Sequence, residues 1–258
     1  MKKSILLLAA STLLSFQALA AEIRVGAFPT PHVQILEFVK PSLKKQGVDL
    51  EIIPFIEPIQ TNIALAEGSL DANYFQHVPY LDSFVKESGL PIVSIGGIHI
   101  EPIGLYSSKI KDIKELRDGA EIGVTNDPTN TGRTLLLLQK QGLIKLKEPD
   151  NISSTVEDVI ENKKGLKFIL LDQAILPRSL DDLDAAVILT NVALDSGLNP
   201  LRDAIVIEDK DSPYSNVIAV TKGRENDEDL KKLVNALRTE NVRQFILKEF
   251  NGAVVPAF

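Results

Sequence analysis

Apolar residues recur along this chain at two spacings that take turns. Ile23-Arg24-Val25-Gly26 has the pattern of a short buried strand, and a loop through Pro29 and Pro31 follows it. Ile35, Leu36, Val39 and Leu43 then fall on one side of a helix stopped at Gly47, and Pro41 within that run predicts a kink or an early break. Leu50–Ile53 reads as a second strand, residues 59–67 as a short helix ending at Gly68, and Leu70–Phe75 as a third strand. Val78–Ser88 returns to helical spacing and stops at Gly89. Strands alternating with helices predict an α/β fold with mainly parallel sheets flanked by helices.

From Pro91 to Ser107 the chain is apolar and poor in helix signals, with Gly96, Gly97, Pro102 and Gly104 inside it. It reads as one extended segment passing between two sheets. A second alternating set follows: Glu121–Val124 as strand, Gly132–Gln141 as helix, then Leu166–Leu171 and Ala185–Thr190 as strands. Ala204–Glu208 and Asn216–Thr221 are further strands, and the end is helical from Asp227 to Phe250. Two sheets joined by extended segments, with no loose linker, predict a hinged clamshell, and such clefts are favoured small-ligand sites.

The first twenty residues stand outside this pattern. Lys2 and Lys3 precede an apolar run from Ile5 to Leu14, and Ala18-Leu19-Ala20 places small residues where a signal peptidase cuts. The run is shorter than the ~20 residues that an anchor needs. Residues 1–20 are therefore read as a signal peptide cleaved after Ala20. The expected product is soluble and periplasmic, without a lipid anchor, because the chain has no cysteine to acylate. The one Met is the initiator, so the mature chain contains no sulfur. That reads as chance, as resistance to oxidation in an exposed compartment, or as economy in a protein made when sulfur is scarce.

A net charge of −7 argues against nucleic acid as a partner, which needs a basic face. Zero cysteines exclude disulfides, thiolate metal sites and iron–sulfur clusters. The segment Asn126-Asp127-Pro128-Thr129-Asn130-Thr131-Gly132-Arg133 joins a strand to a helix. Asn130 or Thr131 can cap that helix, whose free N–H groups and dipole favour an anion. Arg133 adds a planar fork suited to a carboxylate; an ordinary capped helix with a solvated Arg is the plainer reading. Asn73-Tyr74-Phe75-Gln76-His77-Val78-Pro79-Tyr80 gathers three aromatics and a histidine at a strand end, which suits a cleft wall better than a core. Asn191 and Asn216 sit at strand ends with amides able to donate and accept. His32, His77 and His99 are widely spaced, and a metal receptor would need all three to converge. Neither a Gly-x-Ser-x-Gly elbow nor a His-Glu-x-x-His pair occurs, so no catalytic residue, metal or cofactor is expected.

These stretches resemble the NlpA/MetQ lipoprotein family, the methionine-binding periplasmic component of the methionine ABC importer. The resemblance rests on Asp71–Asp82, Asn126–Asn130 with Gly132-Arg133, Leu176-Pro177-Arg178, Asp209–Tyr214 and Gly252–Phe258, and it covers essentially all of the mature chain. It implies a two-lobed binding protein of the type II kind, monomeric, with 21–102 plus 216–258 as a discontinuous lobe and 103–215 as the other. It implies capture of L-methionine in the interlobe cleft and delivery to a membrane permease driven by an ATPase. A methionine derivative or another small amino acid is the alternative ligand; a hydrolase or an adhesin is the alternative class. By motif, Arg133 pairs with the ligand carboxylate and Asn191 and Asn216 bond its amino or carboxylate group. Asn130 belongs to the same site, and Tyr74, Phe75, His77 and Tyr80 line the side-chain pocket. Leu170, Ile175, Leu189 and Val192 depart from the family pattern.

Overall fold

The computed structural model describes residues 21–210 and 212–258; the expected signal peptide, 1–20, lies outside them. The first sheet begins with β1 (Ala21–Ala27), β2 (Val48–Pro54), β3 (Ala72–His77) and β4 (Ile92–Ile100). β5 (Gly104–Tyr106) and β6 (Glu121–Thr125) open the second, and β7 (Lys145–Leu146) with β8 (Val159–Glu161) forms a separate two-stranded ribbon. β9 (Lys167–Leu171), β10 (Ala185–Ile188) and β11 (Val206–Ile207) complete the second sheet, and β12 (Ser215–Thr221) and β13 (Val255–Pro256) return to the first. The strand orders are β13-β4-β12-β3-β1-β2 and β11-β5-β10-β6-β9.

The α/β class is that of the sequence pattern, while the sheets expected as mainly parallel are mixed. β1 runs parallel to β2 and β3, and β6 to β9 and β10. β12 is antiparallel to both β3 and β4, and β5 to β10 and β11. The reason is the path of the chain, which crosses between sheets after β4 and returns after β11, so strands on either side of a crossing meet head to tail.

Period-two alternation assigns each central strand to two cores. On β12, Ile218 and Val220 face α1 (Gln34–Lys45), whereas Val217 and Ala219 face Leu65 of α2 (Pro58–Ala66) and Leu81 of α3 (Val78–Ser88). On β10, Ala185 and Val187 pack on Leu135 and Leu138 of α4 (Pro128–Lys140). Ala186 and Ile188 face Leu176 and Ala193, the latter on α5 (Thr190–Asp195). Short α6 (Pro200–Asp203) precedes β11, and α7 (Glu228–Leu237) and α8 (Glu240–Glu249) complete the α1 side.

Four local expectations change. Helix α1 runs through Pro41 to Lys45; the proline lies on its exposed face, where a freed carbonyl can turn to water. The C-terminal helical stretch is two helices, because Thr239 is extended and caps α8 by accepting the Val242 N–H. Thr190 begins α5 instead of ending β10. The cap of α4 is Asp127, not Asn130 or Thr131: Pro128 at the first helical position starts the helix earlier, and Asp127 accepts the Asn130 N–H at 2.9 Å.

Candidate ligand-binding site

Between the two sheets lies a cavity of about 290 Å³, near the lower end of the ~300–1,000 Å³ usual for small-molecule pockets. Its floor comes from the ends of β3, β4 and β12, its far wall from the first turn of α4 and the start of α5. Phe75, His77, Tyr80, Asn130, Arg133, Asn191 and Asn216 line it. Tyr74 does not. Strand β3 is buried along its whole length, and its alternation turns Tyr74 into the core behind the cavity, where its hydroxyl meets His99 Nδ1 at 2.5 Å.

The aromatic wall is Phe28 stacked on Phe75 at 5.0 Å, with Tyr80 edge-on to Phe75 at 6.1 Å. Phe28 escapes sequence reading because it stands in a loop without periodicity. His77 holds the junction of the two halves. Its Nδ1 accepts the Tyr80 N–H, which leaves the proton on Nε2 to donate to Asn130 Oδ1 at 3.1 Å. Asn130 in turn donates Nδ2 to the Asp127 carboxylate at 3.1 Å. Burial, reinforced by nearby Arg133, lowers the His77 pKa to about 3, so this ring is neutral.

Arg133 is 3% exposed and already engaged. Its Nε and Nη2 grip Glu208 at 2.9 and 2.5 Å, Nη2 also donates to the Glu101 carbonyl, and the guanidinium lies 4.1 Å over the Tyr214 ring. The fork that the sequence offers to a ligand is thus met by Glu208, and among the described residues Nη1 has no hydrogen-bond partner. Gly132 allows this placement: a Cβ there would stand 2.2 Å from the Ile152 carbonyl oxygen.

Beneath the cavity sits a polar network that spacing alone does not reveal. Glu101 Oε1 lies 2.8 Å from His99 Nε2 and 3.3 Å from His32 Nε2, and its Oε2 accepts the Asn191 N–H at 2.9 Å. His32 Nε2 is also 3.1 Å from Asn216 Oδ1. Burial lowers His32 to about 4 and His99 to about 3, and it raises Glu101 above the ordinary carboxylate range. Two imidazoles and a carboxylate within 4.8 Å of one another are donors of a kind found around metal ions. Here they face each other at hydrogen-bond distances, His99 Nδ1 is taken by Tyr74, and the arrangement reads as a hydrogen-bonded network. His77 is not part of it. The available signal for Glu101 was a carboxylate within the apolar stretch Ile98–Ile103. Leu170 and Ile175 are half-exposed and Val192 packs beneath β10, whereas Leu189 reaches the cavity.

The model of the NlpA lipoprotein family matches residues 23–258. The chain belongs to that family. The D-methionine-binding lipoprotein MetQ of Escherichia coli strain K12 is 45% identical over 236 residues, 90% of this chain and 87% of that relative. A nutrient-binding protein from Burkholderia cenocepacia, solved bound to methionine, is 48% identical with a TM-score of 0.88 over 92% of this chain and all of that one. The methionine-binding protein MetQ superposes with a TM-score of 0.88 at 44% identity, covering 92% of this chain and 98% of that one. Membership corrects one expectation. A family of lipoproteins, with relatives named as lipoproteins, implies a lipid anchor and overturns the reading of an unanchored soluble product. That reading rested on an absence, the missing cysteine, and an absence of one residue type was too little to carry it.

Proposed function

We propose that this NlpA-family protein binds a free amino acid, methionine foremost, in the cleft between its sheets and passes it to the permease and ATPase of an ABC importer. The observation that carries the reading is the division of the cleft into two chemistries. Phe28, Phe75, Tyr80, Ile59 and Leu189 form an apolar side, and Arg133, Asn191, Asn216 and Glu101 a polar one. An amino acid with an unbranched apolar side chain matches that division. Arg133 Nη1 and the side-chain amides of Asn191 and Asn216 are suited to its polar end, with Asn130 and His77 setting the edge of the pocket. A thioether against the rings gains ~0.3–1.5 kcal/mol per sulfur–aromatic contact. The relatives support this choice, one solved with methionine and others named for its D-isomer.

The first test is to denature the protein and identify what it releases: stoichiometric amino acid supports binding, and turnover of that compound would make it an enzyme. Calorimetry on refolded, ligand-free protein should then rank methionine above norleucine by no more than ~1.5 kcal/mol, and norleucine above leucine. Glutamate and lysine should not bind, since either would bury a charge without a partner. A charged or β-branched amino acid in first place would overturn the methionine assignment.

A further inference from the structure

A second hollow, of about 450 Å³, lies beside the cleft cavity on the seam between α3 and the start of α4. Amino-acid binding in the cleft leaves it without a role. Ile59, Tyr80, Asn126 and Asp127 line both spaces, so the two are neighbours parted by side chains. The partition is light. Ile59 is 58% exposed, and the half-buried Tyr80 ring meets Phe75 and His77 only edge-on, at 6.1 and 6.2 Å. The Tyr80 N–H is held by His77 Nδ1, whereas its hydroxyl has no hydrogen-bond partner among the described residues.

Beyond that partition the hollow is apolar at its sides and acidic at its end. Phe84 and Pro128 face it from opposite helices. Glu87 and Asp127 supply two carboxylates, and no lysine, arginine or histidine lines the space. Glu87 is exposed in the last turn of α3, where the helix carbonyls add negative potential, and it accepts the Ser83 hydroxyl at 2.9 Å. Asp127 caps α4 and so offsets the positive end of that helix. Burial first, then the charges of Asp127 and Glu87, raise the Tyr80 hydroxyl above its ordinary pKa, as expected where both carboxylates act on the ring that divides the two spaces.

We infer that the side-chain pocket continues past Tyr80 and Ile59 into this hollow, and that the protein takes thioether amino acids whose sulfur carries a chain longer than methyl and ending in an ammonium. The inference rests on the amino-acid reading above and widens it. A ligand held by its polar end at Arg133, Asn191 and Asn216 points its side chain at the ring wall, and Tyr80 and Ile59 are the part of that wall shared with the hollow. Turning those two side chains opens the way. Phe84 and Pro128 then cover the added methylenes, and Glu87 meets the charge at their end. Lysine, only one atom longer than methionine, would leave its ammonium among the rings and stays excluded.

The test is calorimetry on the full chain with methionine and with the S-propyl, S-(3-aminopropyl) and S-(2-carboxyethyl) derivatives of homocysteine. A closed pocket loses roughly tenfold or more per added methylene, so S-propylhomocysteine within about tenfold of methionine marks an open one. The aminopropyl compound should bind more tightly than the carboxyethyl compound. Glu87→Gln should weaken the aminopropyl compound by about threefold, the scale of an exposed ion pair, and leave methionine unchanged. Ser83→Trp, which fills the hollow, should reject the propyl and aminopropyl compounds and spare methionine. Methionine binding with a loss of roughly a hundredfold at S-propyl would make the hollow a mere gap in the seam and sink this inference alone. So would a Glu87→Gln variant that weakens methionine and the aminopropyl compound equally. Absence of methionine binding by the wild type would sink the methionine reading and this one with it.

Discussion

Two arginine–carboxylate clusters in this molecule use one chemistry at two depths. The outer one joins Arg24 on β1, Asp71 before β3, Arg224 after β12 and Asp227 at the start of α7. Arg224 reaches both aspartates at 2.7 Å, Arg24 reaches Asp71 at 3.3 Å, and the arginines stay 37% and 38% exposed. The inner one encloses Arg133, 3% exposed, between Glu208, Tyr214 and the Glu101 carbonyl. Exposed pairs are worth little because water competes for both charges. A buried pair is different: removing one partner leaves the other charged, dry and unmatched. The outer cluster therefore fastens elements of one sheet together, whereas the inner one binds α4 to both crossing segments and shares its atoms with the cleft.

The comparison breaks most decisively at Arg133. Arg133→Ala should cost ~2–5 kcal/mol of methionine affinity in calorimetry. It should also destabilise the fold by ~3–5 kcal/mol in urea titration, because Glu208 is stranded. Arg133→Lys should recover only part of either, since an ammonium lacks the planar fork. If the alanine variant keeps both affinity and stability, the inner cluster is no different from the outer one.

Acid separates the two regions next. His32, His77 and His99 are lowered by burial to about 4, 3 and 3 from an ordinary 6.5. The unfolded chain takes up these protons first, so the stability they carry is whole above pH 6.5 and falls as pH drops toward about 4. Each histidine should contribute a slope of ~1.4 kcal/mol per pH unit in that window. Urea unfolding between pH 6.5 and 4.5 should show it, and His77→Gln should remove one histidine's share. The outer cluster acts lower. Burial alone would raise Asp71, but the Arg24 N–H and the Arg224 guanidinium outweigh it and hold the carboxyl below 3.8. Its contribution is present above pH 3.8 and is lost as pH falls through the lower folded value.

Substitution of the outer cluster should be mild. Asp71→Asn should lower stability by ~1–2 kcal/mol, since it weakens charge-assisted bonds to both arginines. Methionine affinity should not change. Arg24→Ala should cost only ~0.2–1 kcal/mol by thermal unfolding. A change in affinity from either variant would show that the first sheet transmits strain from its outer edge to the cleft.

The α/β rhythm, the extended segment between sheets and most of the cleft wall were legible because they depend on local spacing and turn signals. Val78–Ser88 is a helix with a left-handed Gly89 behind it, as the pattern required. What local spacing could not carry was direction and partnership. Tyr74 and Phe75 are adjacent aromatics in a strand buried on both faces, and nothing in their order says which ring reaches the cavity. The grip of Glu208 on Arg133 spans 75 positions and the Glu101–Asn191 bond 90, so both are properties of the assembled crossings. The early start of α4 at Pro128 was readable from Asp127-Pro128, and the helical periodicity further on concealed it.

The place of β12 has a consequence for the order in which the molecule can come into being. It lies in the interior of the first sheet, between β3 and β4, yet it is residues 215–221 of a chain made from the other end. The second sheet has all its strands once residue 207 has emerged. The first has then four strands and a gap, and helices α7 and α8, which close its core, are still to come. Pairing across that gap joins His77 to Asn216, residues 139 positions apart, and such distant contacts are slow to form. During synthesis the earliest residues therefore wait longest, and the half that begins the chain is the last to finish.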